Sequence, residues 1–276
     1  MNGLSDIKRR LASIKQTRQI TGAMETVSIS KMRKAMERYE TSREYVSAVR
    51  SVMKSAAALV PPPEKRQSDK KLVAVLAADK GLCGAFNHDI LRLADELIDD
   101  NTTVVPIGLT ACEHFRSREN VDKSFFDTAV AADYAIAKTL ANLMLKYYND
   151  GMSSVTLVYN MLTSHSVYVP TSRNVFPFES DGNGAIDEDG FEPSAEEVCA
   201  RMLPLYLECE AFDALLSNIA AEHIARRAAM SASTRSADEM IAALSVEYNR
   251  ARQGSVTEQI IEIIGSSSAL DKRRRS

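Results

Sequence analysis

The sequence predicts an α/β chain in which two long end helices pair as an antiparallel coiled coil around a central open α/β domain. Three observations carry this. Residues 4–59 contain no proline and a single glycine, Gly22. From Leu205 to Gly265 proline is again absent, and Gly254 is the only interior glycine. Between these stretches, short apolar runs alternate with segments of helical spacing, the pattern of strands connected by helices. The predicted divisions are 1–60 for the first coiled-coil helix, 70–204 for the central domain and 205–276 for the second coiled-coil helix.

In the first stretch, apolar residues recur at Ile7, Leu11 and Ile14, then at Ala23/Met24, Val27, Met32, Ala35/Met36 and Tyr39. Spacing of three and four places them on one stripe of a helix. Ser5 or Asp6 can cap its start. At about 1.5 Å per residue such a helix is near 80 Å long, too long for the interior of a compact domain, so it requires a partner along its length. Pro61-Pro62-Pro63 ends it, and a charged linker, Glu64–Lys71, follows.

Leu72–Ala78 is a continuous apolar run, as expected of a parallel strand covered on both faces. A helix is predicted at Asp89–Asp100, a strand at Thr102–Leu109, a short helix at Ala111–Arg118 and a longer helix at Ala129–Asn149, with Gly151 placed to terminate it. Strands at Val155–Leu162, Ser166–Val169 and Asn174–Phe178 complete an open, Rossmann-like domain. Glu179–Gly190 is an acidic loop. Pro193–Glu197 starts another helical stretch, which Pro204 is expected to interrupt. The second long helix then carries Leu215, Ile219, Ala225, Ala229, Ile241, Leu244, Tyr248, Ile260 and Ile263/Ile264, with a seam of Ala and Ser that permits close approach of the first helix.

Composition narrows the function. Of 276 residues, 45% are hydrophobic, enough for a substantial core, while aromatics make up only 6% and Trp is absent. Net charge is −3 overall, but residues 1–60 carry 12 Lys/Arg against 5 Asp/Glu, and residues 71–206 carry 10 against 20. A basic first segment and an acidic middle imply separate units with different partners. Cys83, Cys112, Cys199 and Cys209 are too scattered for a metal site and read as isolated thiols in a reducing compartment. No apolar run approaches the roughly 20 residues of a membrane span, and Met1–Asp6 has no apolar signal core. A soluble intracellular chain is expected, unless a partner holds it at a membrane.

Motifs for chemistry are sparse. The strand leading into Asp79-Lys80-Gly81-Leu82-Cys83-Gly84 superficially matches a Walker-B aspartate followed by a glycine turn. No GxxxxGK[ST] or GxGxxG accompanies it, so the segment reads as a tight strand-to-helix turn. The acidic loop lacks the ligand spacing of a calcium site, with Ala185 and Ile186 where a ligand and the turn glycine belong. His88, His114, His165 and His223 are isolated, and Ser164-His165-Ser166 has no nucleophile elbow around it. No catalytic residue, cofactor site or metal site is expected. Two other classes stay open on these grounds alone. A small-molecule enzyme with helical arms would bind a nucleotide or turn over a substrate. A coiled-coil nucleic-acid adaptor would show salt-sensitive binding.

Four segments together resemble one family, the gamma subunits of F-type ATP synthases: ITGAMETVSISKMRKA at Ile20–Ala35, DKGLCGAFN at Asp79–Asn87, FEPSAEEV at Phe191–Val198 and EYNRARQGSVTEQIIEIIGSSSAL at Glu247–Leu270. The resemblance covers both helices almost wholly and the central domain more loosely. It implies a non-catalytic rotor, whose coiled coil stands inside a ring of alternating alpha and beta subunits. Its α/β domain would sit at the foot, against the epsilon subunit and the ring of c subunits. Membrane association would then be indirect, through the c ring, at the cytoplasmic face of a bacterial cell membrane, and nucleic acid would not be a partner. A shaft contacting three beta subunits equally could shift none of them, so its asymmetry carries the coupling.

Carried over by residue, the resemblance places Met24, Lys31 and Arg33 near the beta subunits. Arg226, Arg250, Arg252, Gln253 and Thr257 would face the alpha/beta loops that grip the shaft. Ile260, Ile263, Ile264 and Leu270 would run toward an apolar bearing, and Phe191 and Glu192 would lie at the foot near the c-ring loops. The sequence departs from the pattern at Gly22, where lysine is common, a change costing about 1 kcal/mol in a helix interior. It departs again at Ser266-Ser267-Ser268 and in the basic ending Asp271–Ser276. The cysteine-bearing regulatory insertion of chloroplast members is missing, so thiol control is not expected. With no transit peptide before the first helix, a bacterial chain is expected.

Overall fold

The computed structural model describes residues 2–60, 68–126, 133–178 and 191–275, with side chains described from 3 to 264. In chain order the elements are α1 (Asn2–Leu59), β1 (Lys71–Leu76), α2 (Phe86–Leu97), β2 (Thr102–Ile107), α3 (Leu109–Phe115), α4 (Tyr134–Asn149), β3 (Ser154–Ser164), β4 (Val167–Phe176) and α5 (Ala195–Arg275). The triple proline and the acidic loop lie outside the described residues. By internal contacts the chain divides into a terminal unit, residues 1–26 with 229–276, and a sheet unit, residues 27–228.

The sheet unit is built on four strands in the order β2-β1-β3-β4. The first three are parallel, with Val73 opposite Val104 and Ala74 opposite Leu157; β4 runs antiparallel to β3. Strand β1 shows why its apolar run is unbroken. Leu72, Ala74 and Leu76 pack into a core with Val49 and Met53 of α1, Leu140 and Met144 of α4, and Leu207 and Leu215 of α5. Val73 and Val75 face the opposite way, onto Ile90 and Ala94 of α2 and Phe115 of α3. Both faces are dry, as parallel sheets require.

Strand β4 corrects one expectation. It is a single strand rather than two pieces on either side of Pro170. Pro170 lies opposite Asn160 on the edge of the sheet, where a residue without an N–H interrupts the ladder least. Beyond Val158, β3 outruns β1, and side chains of α5 take the place of a neighbouring strand. Asn218 Oδ1 accepts the Asn160 N–H at 3.1 Å, and Ser217 Oγ accepts the Leu162 N–H at 2.7 Å.

Pro204 likewise fails to interrupt α5, which runs through it from Ala195. Ser194 caps the start, its Oγ accepting the Glu197 N–H at 3.2 Å. Interior proline costs about 3 kcal/mol. That cost is offset here because Met202, Leu203, Leu205, Tyr206 and Leu207 all pack on the sheet core on both sides of it. Asp133 caps α4 through the Ala135 N–H. The start predicted for that helix, at Ala129, lies outside the described residues. Gly151 closes it with φ +99°, a conformation that side chains resist.

In the terminal unit the two helices pair antiparallel. Arg18 meets Asp238 at 3.0 Å, and Thr234 Oγ1 donates to Thr21 Oγ1 at 2.8 Å, so one residue number rises as the other falls. Half-buried or buried residues along the pairing include Leu4, Ile7, Leu11, Ile14 and Thr21 on α1 and Met230, Thr234, Ala237, Ile241, Leu244, Tyr248 and Ala251 on α5. Steps of three and four, with one of seven from Ile14 to Thr21, trace the seam of a coiled coil. In the sheet unit α1 continues the same spacing through Ser28, Met32, Ala35, Tyr39, Ser42, Val46, Val49, Met53 and Ala56.

The seam also corrects the sequence reading around residue 25. Ala23 and Val27, expected inside, are exposed, Val27 by 55%. Thr21 and Ser28 occupy the buried positions instead. Small hydroxyl side chains are admitted because they can bond within the helix or across it, as Thr21 does to the Arg18 carbonyl and to Thr234.

Candidate functional site

The turn after β1 is held at several points. Asp79 Oδ1 accepts the Leu109 N–H at 3.1 Å and so caps α3, which gives the aspartate a structural role in place of a metal-binding one. Asn87 Oδ1 accepts the Ala78 N–H at 2.9 Å. Cys83 and Phe86 are buried against Ala221 and Ala225 of α5, and burial pushes the Cys83 thiol up in pKa. Arg226 completes the attachment. Its Nη2 donates to the Lys80 and Gly81 carbonyls at 3.0 and 3.3 Å, and its Nε to Gly81 at 3.4 Å. Between these anchors Leu82 sits at φ 62° and is 63% exposed. A large residue in that backbone region is a genuine outlier.

Arg226 is therefore not the outward-facing grip residue that the resemblance implied. It is 8% exposed, pairs with Glu222 one turn earlier, and directs its remaining donors at the chain's own turn. Burial raises the Glu222 pKa against the opposing pull of Arg226. Burial first, and then the charges of Arg226 and Lys31, bring His223 down to about 4. Sequence spacing put Glu222, His223 and Arg226 on one helix but could not show that the turn closes over Arg226.

Phe191 differs in the same way. It is buried against Ala56 of α1 and Ala195 of α5, and so seats the start of α5 on the chain itself. Glu192 is exposed. In the sheet unit Lys31 and Arg33 are exposed on α1. In the terminal unit Met24 is half-buried beside the seam, while Arg250, Arg252, Gln253 and Thr257 are exposed on α5. Arg250, Gln253 and Thr257 fall at i, i+3 and i+7 and share one flank, with Thr257 Oγ1 donating to the Gln253 carbonyl. Arg252 lies on the other side of the seam position Ala251.

After Ser255, the last half-buried position, every described side chain of α5 is exposed. Ile260, Ile263 and Ile264 are there as expected, together with Val256 and with Ile261, which is 65% exposed. Sequence reading passed over Ile261 because it breaks the single stripe. Four isoleucines spread around a helix rather than along one stripe is the signal that could have found it. Leu270 lies within helix α5, but its side chain, like those of Ser266–Ser268 and the basic ending, is outside the described residues.

Among the described residues no three His, Cys, Asp or Glu side chains converge on a possible metal position. A groove of about 900 Å³ is lined by Lys31, Lys34 and Arg38 with Tyr134, Phe212 and His223, among others. It offers cations and aromatic faces but no nucleophile paired with a base. No helix among the described residues is long and apolar enough to cross a membrane.

A family model described as ATP synthase matches residues 3–270. The ATP synthase gamma chain of Trichlorobacter lovleyi is 33% identical over 286 residues, covering 98% of this chain and 99% of that protein. The gamma chain of Pelotomaculum thermopropionicum is 34% identical over 284 residues, covering 98% and 100%. Among solved structures, the fold resembles a chain of the Euglena gracilis mitochondrial ATP synthase rotor, with TM-score 0.69, 19% identity and coverage of 92% and 99%. It also resembles a chain of the OSCP/F1/c-ring assembly of that enzyme, with TM-score 0.74, 18% identity and coverage of 100% and 97%. Matched end to end by relatives a third identical to it, the chain belongs to the ATP synthase gamma chain family.

Proposed function

We propose that this chain is the central-stalk shaft of an F-type ATP synthase, itself non-catalytic, coupling ion-driven rotation of a c ring to ATP synthesis or hydrolysis in a ring of alpha and beta subunits. The observation that carries the reading is the last described stretch of α5. Val256, Ile260, Ile261, Ile263 and Ile264 are all exposed along α5, and apolar surface of that extent calls for a partner that surrounds it. An apolar sleeve suits a rotating part, because apolar contacts have no preferred direction and exchange neighbours at little cost. The exposed Arg250, Arg252, Gln253 and Thr257 just before that stretch supply polar contacts of the opposite kind, able to catch and release. On α1, Met24, Lys31 and Arg33 would supply further contacts to the beta subunits.

The sheet unit would meet the epsilon subunit and the c-ring loops, with Glu192 as the exposed member of its predicted contact pair. Attachment to the membrane would be indirect, at the cytoplasmic face of a bacterial membrane. Reconstitution tests the reading. Mixed with alpha and beta subunits, the chain is expected to yield a ring with ATPase activity. Changing Arg250, Arg252 and Gln253 together to Ala is expected to lower coupled activity by at least about tenfold, on the scale of several charge-assisted hydrogen bonds lost at once. Failure to co-assemble, or full coupling in the triple variant, would sink these assignments.

A further inference from the structure

Inside the sheet unit, away from every surface assigned above, four charged side chains converge. Arg50 of α1 holds Glu210 of α5 with both Nε and Nη2, the latter at 2.9 Å, and its Nη2 also donates to Asp213 at 2.6 Å. Arg173 of β4 reaches the same Glu210, Nε to Oε2, at 3.2 Å. The Glu210 side chain is 1% exposed and Asp213 8%. Two cations face two anions, so no net charge is buried.

Stability alone is a weak reason for such an arrangement. Clusters of this kind can often be exchanged for apolar side chains with no loss, whereas removing one member leaves an uncompensated charge. What the ions supply and methyl groups do not is direction. The surrounding contacts of Val49 and Met53 with Leu207 and Ala214 tolerate small sliding displacements. A two-pronged guanidinium–carboxylate grip has one good geometry and resists both sliding and rotation. The cluster also joins three elements that the chain reaches separately. Among the described residues strand β4 pairs in the sheet with β3 alone, and Arg173 ties it to the α1–α5 pair.

We propose that Arg50, Glu210, Asp213 and Arg173 form a torsional joint, positioning residues that hold α1, α5 and β4 in one register so that torque on the sheet unit turns both helices together. The inference rests on the shaft reading. In this joint Glu210 is the hub, gripped from both sides, and Asp213 fixes the second prong of Arg50.

The test uses the complete enzyme in vesicles, carrying the wild-type chain or a variant with Arg50→Met, Arg173→Met, Glu210→Leu and Asp213→Leu, which removes all four charges and leaves none orphaned. The variant enzyme is expected to assemble and hydrolyse ATP within about twofold of wild type, while ions pumped per ATP fall about threefold. Angular fluctuations of a bead on the stalled shaft should widen. An assembled variant with unchanged pumping ratio and fluctuations overturns the joint. Arg50→Lys keeps the charge but gives up the two-pronged grip, and is expected to fall between the two. Should the apolar variant not assemble, Arg50→Lys decides alone, and wild-type behaviour there overturns the proposal. Failure of the wild-type chain to assemble with alpha and beta subunits would instead remove the shaft reading beneath it.

Discussion

The same helix lives two different lives in the two units. In the sheet unit α5 buries every side chain from Ala211 to Arg226 except Phe212, Glu222 and His223. In the terminal unit only Met230 and Ala237 are buried among its described side chains, and Thr21 is their one buried counterpart on α1. Secondary structure is identical in both. What differs is the number of neighbours. A helix enclosed by a sheet and other helices loses most of its surface to them, whereas a helix paired with one other keeps more than half its circumference in water. Stability should therefore be concentrated in the sheet unit, leaving the terminal unit free to carry exposed contacts chosen for a partner rather than for folding.

The sharpest way to break this comparison is a matched pair of truncations. Leu215→Ala, in the dry core, is expected to cost about 4 kcal/mol, the upper range for a fully buried leucine, read from the urea midpoint of the isolated chain. Arg226→Ala should follow at about 3 kcal/mol, because it leaves Glu222 buried without its partner and frees the turn carrying Leu82. Amide exchange should quicken across residues 79–84. In the terminal unit Leu244→Ala, at a half-buried seam position, should cost only about 1 kcal/mol. If Leu244 costs as much as Leu215, the contrast between the units fails.

Acid should act on the sheet unit specifically. The folded-state pKa of His223, about 4, lies below the ordinary 6.5, so the folded chain binds fewer protons than the unfolded chain between those values. Stability is thus full above about pH 6.5 and falls as pH drops through that window. His223→Gln should flatten this part of the pH profile in urea titrations at pH 7 and pH 4.5. The smallest effect is expected at Val27→Ser, within about 0.5 kcal/mol. A large loss there would return Val27 to the interior, where its spacing had suggested it belonged.

Much of the fold was legible in the residues. Missing prolines and apolar spacing marked α1 and α5, and the unbroken run at Leu72–Ala78 announced a strand with two dry faces. Those signals are local, because a helix or strand is recognised by what its own side chains repeat. Pro170 and Pro204 misled for the same reason. A proline's local penalty can be read from sequence, but whether it lies on a sheet edge or in a packed helix cannot. The candidate site divides along the same line. Arg250, Arg252, Gln253 and the isoleucines that follow are exposed where a lightly partnered helix should expose them. Arg226 and Phe191 came from matching motifs and turned inward, since a motif does not say which of its residues face a partner and which hold the motif together.

The sequence by itself determined the two long helices, the alternating strands and helices between them, and the family to which the chain belongs. Only the tertiary structure decided the phase of the seam, with Thr21 and Ser28 inside and Val27 out. It also decided that Arg226 closes on a strained turn and that Arg50 and Arg173 meet at Glu210. Periodicity is a property of neighbours along the chain, whereas burial and charge pairing depend on residues brought together from as far as 220 positions apart.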